Sequence, residues 1–320
     1  MKEPELFWSV YKNLERETLN FSKYIHFSSD QKKVYSMSIA DIIVRCAVEI
    51  EAISKRIYES LGGDMNPIDD NGQKRDLYFD TDCLALIENE YLISKKELII
   101  SAPTFYFEES DRIIAPLYKA NKRGTSGSKW KQAYQALKHD RYGALKKWGN
   151  IECLINALGA LYLLNLYFKD TVYQLKEGLE SFDARVDSDV FSVFTFDASN
   201  FTMSPGKMDD SCIRKKPDDC LERAAYIIKC TDEHFLNLHE AIKKDDEEMR
   251  KKIINSPKVL QYFREHPEYK PDSLMNIFVE AIGKEGLGQF ISTKNLMPQL
   301  RVKKLEAVVN KHRNIYPTLS

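Results

Sequence analysis

From Cys153 to Phe168 the chain reads CLINALGALYLLNLYF, apolar on nearly every side of a helix and broken only by Asn156 and Asn165. A helix with no polar face has to be covered all round by other elements, so this segment is expected to be the central helix of a bundle. The pattern predicts helix from Asn150 to about Leu175. Lys169 closes the apolar run and Glu152 stands just before it, which leaves it too short and too polar to span a bilayer, so no membrane partner is expected.

A second helix is predicted over Gln31–Leu61. There Ile39, Ile43, Cys46, Ile50, Ile53 and Ile57 recur at alternating steps of four and three, lining one face, and Gly62-Gly63 ends it. On another side Arg45 and Glu49 stand four apart, either as a weak surface ion pair or with Glu49 orienting a catalytic base. A further amphipathic helix is expected within residues 5–26, a loop over 62–78, and another helix over 80–93. The runs ELIIS and TFYF between Lys96 and Phe107 lean towards strand and predict a small hairpin or extended excursion inserted between helices.

At 320 residues the chain is long enough for two compact units, and a boundary is placed near 177–183, giving 1–176 and 177–320. Beyond it, 190–196 reads as strand, 204–217 as loop, and Asp218–Ile242, 257–265, 272–283 and 300–313 as helix. KKDDEEMRKK at 243–252 reads as a solvated helix face. Asp183, Asp187 and Asp189 read as a loop leading into a strand. The six cysteines are scattered without a Cys-x-x-Cys pair, and MKEPELFW lacks the apolar run of a signal peptide. A reduced, cytoplasmic chain without a disulfide framework or zinc site is expected.

Basic and acidic residues number 47 and 48, so attraction to a polyanion has to come from local clustering. Such a cluster lies between Leu117 and Gly149, where nine Lys/Arg face a single acid, Asp140. Trp130, Tyr134, Tyr142 and Trp148 are interleaved with them, a pattern that suits phosphate contact and base stacking. Lys129, Trp130, Lys131, Tyr134, Tyr142, Lys146 and Lys147 are the candidate nucleic-acid contacts. A weaker basic run covers Lys303–Arg313.

Within WKQAYQALKHDR, residues 130–141, Trp130, Ala133, Tyr134, Leu137 and Arg141 share one helical side and should face the bundle. His139 lies about 200° from Leu137 and should point to solvent, where an imidazole serves as acid or base near neutral pH. Arg141 is expected near a phosphate or as a partner of Glu49 or Glu51.

VRCAVEIEAISKRIY, together with WKQAYQALKHDRYGALKKWGNIECLINALGALYLLNLYF, resembles the two central helices of HEPN-like bacterial proteins over residues 30–176. The resemblance implies a four- or five-helix bundle, often a homodimer; together with the β-leaning insertion and the C-terminal helical region read above, the expected fold is mainly α. Active members cut RNA without metal or cofactor through an Arg-x4-6-His motif, often in defence or toxin settings. On that likeness His139 matches the family's histidine, and Lys138, Arg141 and Glu49 complete the catalytic candidates. Tyr134, Ala133 and Gln132 occupy the places of the motif's arginine. The alternative is an inactive interaction module that binds a partner protein or nucleic acid.

Overall fold

The computed structural model describes residues 3–175, 181–199, 220–267 and 274–317, and most of these are helical. The chain is mainly α. Its first helices are α1 (Glu3–Phe21), α2 (Met37–Ser60) and α3 (Ala85–Tyr91), the last preceded by a π-helical turn over Phe79–Leu84. Strand β1 (Leu98–Ile100), the short α4 (Glu109–Arg112) and β2 (Ile113–Ile114) follow. Then come α5 (Lys129–His139), α6 (Arg141–Trp148) and α7 (Ile151–Lys169). Strands β3 (Tyr173–Leu175), β4 (Phe191–Val193) and β5 (Thr195–Asp197) precede α8 (Cys220–Arg223) and β6 (Tyr226–Cys230). The remainder is α9 (Asp232–Ile254), α10 (Pro257–Glu265), α11 (Leu274–Ile282), α12 (Lys284–Leu287), α13 (Leu296–Arg301) and β7 (Leu305–Val309).

Two compact units result: Met1–Asp197 with Lys216–Ile228 and Ala307–Arg313, and Ala198–Lys215 with Lys229–Glu306 and Asn314–Ser320. The division therefore falls elsewhere than 177–183. One reason is β4, which pairs antiparallel with β1, Ile99 opposite Ser192. Another is the buried Glu15 of α1, which accepts from the Ser188 hydroxyl and the Asp189 and Val190 N–H groups. These bonds tie the segment around 190 to the first unit.

In that unit α7 is the centre, as its composition demands. It packs against α1, α2 and α5, and all but Glu152, Asn156, Phe168 and Lys169 of its residues are buried. Contrary to the expectation that it is too short and too polar to span a bilayer, α7 alone among the described helices is long and apolar enough to do so, by length and composition only, and 83% of its apolar window is covered by the protein itself. It stops at Asp170, in the left-handed region at φ 48°, short of the expected Leu175, and Tyr173–Leu175 turns to strand instead. Helix α2 starts later than expected because Ser36 caps it, its hydroxyl accepting from the Ile39 N–H at 3.1 Å. All six apolar residues of its predicted stripe are buried.

The predicted hairpin is replaced by a sheet of order β2-β1-β4. ELIIS supplies β1, but TFYF forms no strand: Phe105 and Phe107 are core anchors, with the Phe105 ring 4.7 Å from Phe27. A second sheet has the order β3-β7-β6-β5, with β5 and β6 parallel and Phe196 opposite Ile227. Two expected helices are thereby corrected. YIIKC within 218–242 is a strand buried along its whole length, and the helix expected at 300–313 is β7, whose Leu305, Ala307 and Val309 are buried alternately. A short apolar run buried on both faces carries no period that separates strand from helix.

The second unit has a small core of Ile253, Val259 and Phe278 beneath α9, α10 and α11. KKDDEEMRKK lies on α9 and is not wholly solvated. Asp245 is buried and accepts from the Asn295 and Leu296 N–H groups at 3.1 Å, while Arg250 pairs with Asp246 one turn away. The expected loop at 204–217 lies outside the described residues. Asp183 pairs with Arg185 and Asp189 with Lys12, so local cations take two of those three aspartates.

Candidate nucleic-acid interface

The candidate site is the corner between α5 and α6. Helix α5 ends at His139 because Asp140 leaves helical geometry at φ −143° and ψ 78°. Its carboxylate then accepts from the Gly143 N–H at 3.0 Å and caps α6. A Cβ at 143 would lie 2.3 Å from that carboxylate as it now stands, so a larger residue there would have to shift the Asp140 side chain. Because the helix breaks at 140, Arg141 does not share the α5 face. It pairs with Asp41 of α2, not with Glu49 or Glu51.

The inward face of α5 follows its periodicity. Trp130, Ala133, Tyr134 and Leu137 are buried, and the Trp130 indole N–H donates to the Pro116 carbonyl at 2.8 Å. Trp130 and Tyr134, 1% and 3% exposed, are therefore core residues and not available for base stacking. Lys131 is corrected too: it is 3% exposed, and its ammonium donates to Asp80 at 3.1 Å and to the Ala120 and Lys122 carbonyls. Burial lowers the Lys131 pKa. At Asp80 burial works to raise the pKa, but the Thr81 N–H, Lys131 and Arg123 outweigh it and hold the carboxyl below its ordinary value.

Four candidate contacts remain at the surface. Lys129 is exposed but donates to Glu152 at 2.7 Å. Tyr142 is 98% exposed, and Lys146 and Lys147 are exposed on α6 with no ion pair among the described residues, the Lys147 ammonium lying 4.7 Å from the Trp148 ring centroid.

The catalytic candidates do not assemble. His139 is exposed as expected, and among the described residues no hydrogen bond or ion pair holds its imidazole. The Lys138 ammonium lies 5.4 Å from the Tyr134 ring centroid. Glu49 is half-buried on α2, where burial raises its pKa and Arg45 partly offsets the effect. Arg45 itself bonds to Glu17 of α1 at 2.6 Å. No bond among the described residues joins Glu49 to His139. Among the described residues no group of three or more His, Cys, Asp and Glu is placed to hold a metal ion.

Beside the outer face of α5 lies a cleft of about 670 Å³ lined by Glu51, Tyr78, Arg123, Gln135 and Trp148, among others. The Arg123 guanidinium lies over the Tyr78 ring, 3.7 Å from its centroid, and its Nε–H donates to Asp80 at 3.3 Å. Tyr78 and Asp80 were invisible as site residues, since they belong to a loop and a helix start far upstream of the basic segment. Arg123 was visible only as one charge of the cluster. A second cleft, of about 430 Å³, lies near the start of α5, where Lys32 pairs with Asp111 and Lys129 with Glu152. No family model matches the chain, and neither a curated protein nor a solved structure matches it significantly.

Proposed function

We propose that this chain binds RNA through the α5–α6 corner and does not itself cut it. The carrying observation is a contrast in how cations are partnered. Lys32, Arg45, Lys129 and Arg141 are each matched by a carboxylate. Lys138, at the end of α5, and Lys146 and Lys147, on α6, flank the exposed Tyr142 in sequence and enter no ion pair among the described residues. A cation already neutralised by an acid has little to offer a phosphate, whereas a free one exchanges its solution counterions for the polyanion. An exposed tyrosine among such cations adds a stacking face.

Cleavage lacks comparable support. Among the described residues no partner orients the His139 imidazole as a general base, and Arg141 is paired with Asp41. The same reading takes the α1, α2, α5 and α7 bundle as HEPN-like, dimeric and of defence or toxin type, on the strength of WKQAYQALKHDR and the apolar helix after it.

The test is fluorescence anisotropy with labelled single-stranded RNA from about 50 to 200 mM salt. Wild type should bind with steep salt dependence, and Lys146→Glu with Lys147→Glu should lower affinity and flatten the slope by about 0.7 per lost phosphate contact. Absence of binding at low salt, or an unchanged slope in the double variant, would refute the proposal. Cutting in EDTA by wild type and not by His139→Ala would overturn its non-cleaving part.

A further inference from the structure

The large cleft beside α5 is not used by the surface reading above, although Trp148 and Lys147 connect the two. Its volume of about 670 Å³ is within the range of small-ligand pockets. One wall is the Tyr78 ring with the Arg123 guanidinium over it, a pair of planar groups of the kind on which bases stack. Another part of the lining is Trp148, the last residue of α6, with the Lys147 ammonium beside its ring. Each aromatic therefore carries a cation.

Two carboxylates line the cleft, and they differ in availability. Asp80 is occupied by Lys131, Arg123 and the Thr81 N–H. Glu51 stands near the Tyr134 hydroxyl and enters no ion pair among the described residues. A carboxylate only accepts, so it favours a base edge that presents an N–H₂ donor and disfavours uracil, whose single N3–H donor is flanked by two carbonyl oxygens that repel the carboxylate.

We propose that this cleft seats one unpaired base of a single-stranded RNA, stacked against the Tyr78–Arg123 pair, with Glu51 accepting from the base's exocyclic amine and Lys147 meeting its phosphate. Bases that carry such an amine are taken in preference to uracil. A paired base is excluded because its face and its amino edge are already used within the duplex. This inference rests on the RNA-binding reading and assigns that surface a substrate class.

The experiment measures anisotropy of short labelled oligoadenylate, oligouridylate and an adenine-containing duplex with wild type, Tyr78→Leu, Tyr78→Phe and Glu51→Ala. Wild type should prefer oligoadenylate over oligouridylate by about fivefold or more. Tyr78→Leu should weaken oligoadenylate binding about tenfold, while Tyr78→Phe, which keeps the ring, should bind as wild type does. Glu51→Ala should collapse the preference whatever it does to overall affinity. Salt-dependent binding of all three probes with equal affinity, or a preference that survives Glu51→Ala, would overturn the cleft assignment and leave the surface reading standing. Failure of every probe to bind at low salt would overturn both.

Discussion

Lys96 offers the most exacting test of the fold's electrostatics. It sits just before β1, is 0% exposed, and donates from its ammonium to one acceptor, the Glu222 carbonyl at 2.9 Å. No carboxylate among the described residues lies within ion-pair reach. Glu88, one of the nearby acids, already accepts from the Ser94 N–H and hydroxyl at 2.7 Å. Burial pushes the Lys96 pKa from 10.5 down to about 8, against the opposing pull of Glu222 and Glu88. At about 1.4 kcal/mol per factor of ten, that drop is a penalty of about 3 kcal/mol for carrying the charge into the core.

Because the folded-state pKa is depressed, the folded chain binds fewer protons than the unfolded one between about pH 8 and 10.5. Lys96 therefore opposes folding in full below pH 8 and ceases to do so as the pH rises to 10.5. Lys96→Met keeps the shape of the stem, removes the charge and leaves the Glu222 carbonyl without its donor, a loss of about 1 kcal/mol. The variant should be more stable than wild type by about 2 kcal/mol near pH 7, with the advantage gone or slightly reversed near pH 10. Urea denaturation of both proteins at the two pH values gives the comparison, and groups common to both cancel in the difference. A variant that is destabilised at pH 7, or a gap that does not change with pH, would show that the lysine is neutral or solvated in the folded state.

Three further outcomes follow from the corner itself. Trp130→Ala removes a fully buried indole and its bond to Pro116, and should cost about 3–5 kcal/mol in urea denaturation. Asp80→Ala leaves the buried Lys131 ammonium without its only carboxylate partner among the described residues, and should cost about 3 kcal/mol near pH 7. That loss should shrink in acid, as wild type gives up the same interaction when the pH falls through the depressed Asp80 pKa. His139→Ala should change the urea midpoint by the equivalent of about 0.5 kcal/mol or less, because the imidazole is exposed and has no hydrogen bond or ion pair among the described residues.

What the sequence made legible and what it did not separate along one physical line. The stripe from Ile39 to Ile57 and the all-apolar 153–168 run each state a local fact, which face of a helix has to be covered, and the structure covers them so. Turning Trp130 and Tyr134 into surface contacts was inconsistent with the very spacing that placed them towards the bundle. Aromatic and basic residue types suit a core anchor and a stacking platform equally well, and only burial distinguishes the two.

Lys131 exposes the harder limit. One step along α5 from Trp130, it stands at the margin of the buried face, and its neighbours in sequence carry no signal of its fate. That is decided by Asp80, 51 positions upstream, and by the Ala120 and Lys122 carbonyls of the preceding loop. Arg141 is the same case, taken by Asp41 from 100 positions away. A charge's partner is a property of loops folding back on helices, and no helical period encodes it. The unpaired cations of α6 are informative for that reason. Among the described residues their freedom from carboxylates is a tertiary outcome, reached in a chain whose acids and bases are almost equal in number and whose other cations near this corner have mostly found partners. On the proposed reading, RNA phosphate is what these exposed cations meet.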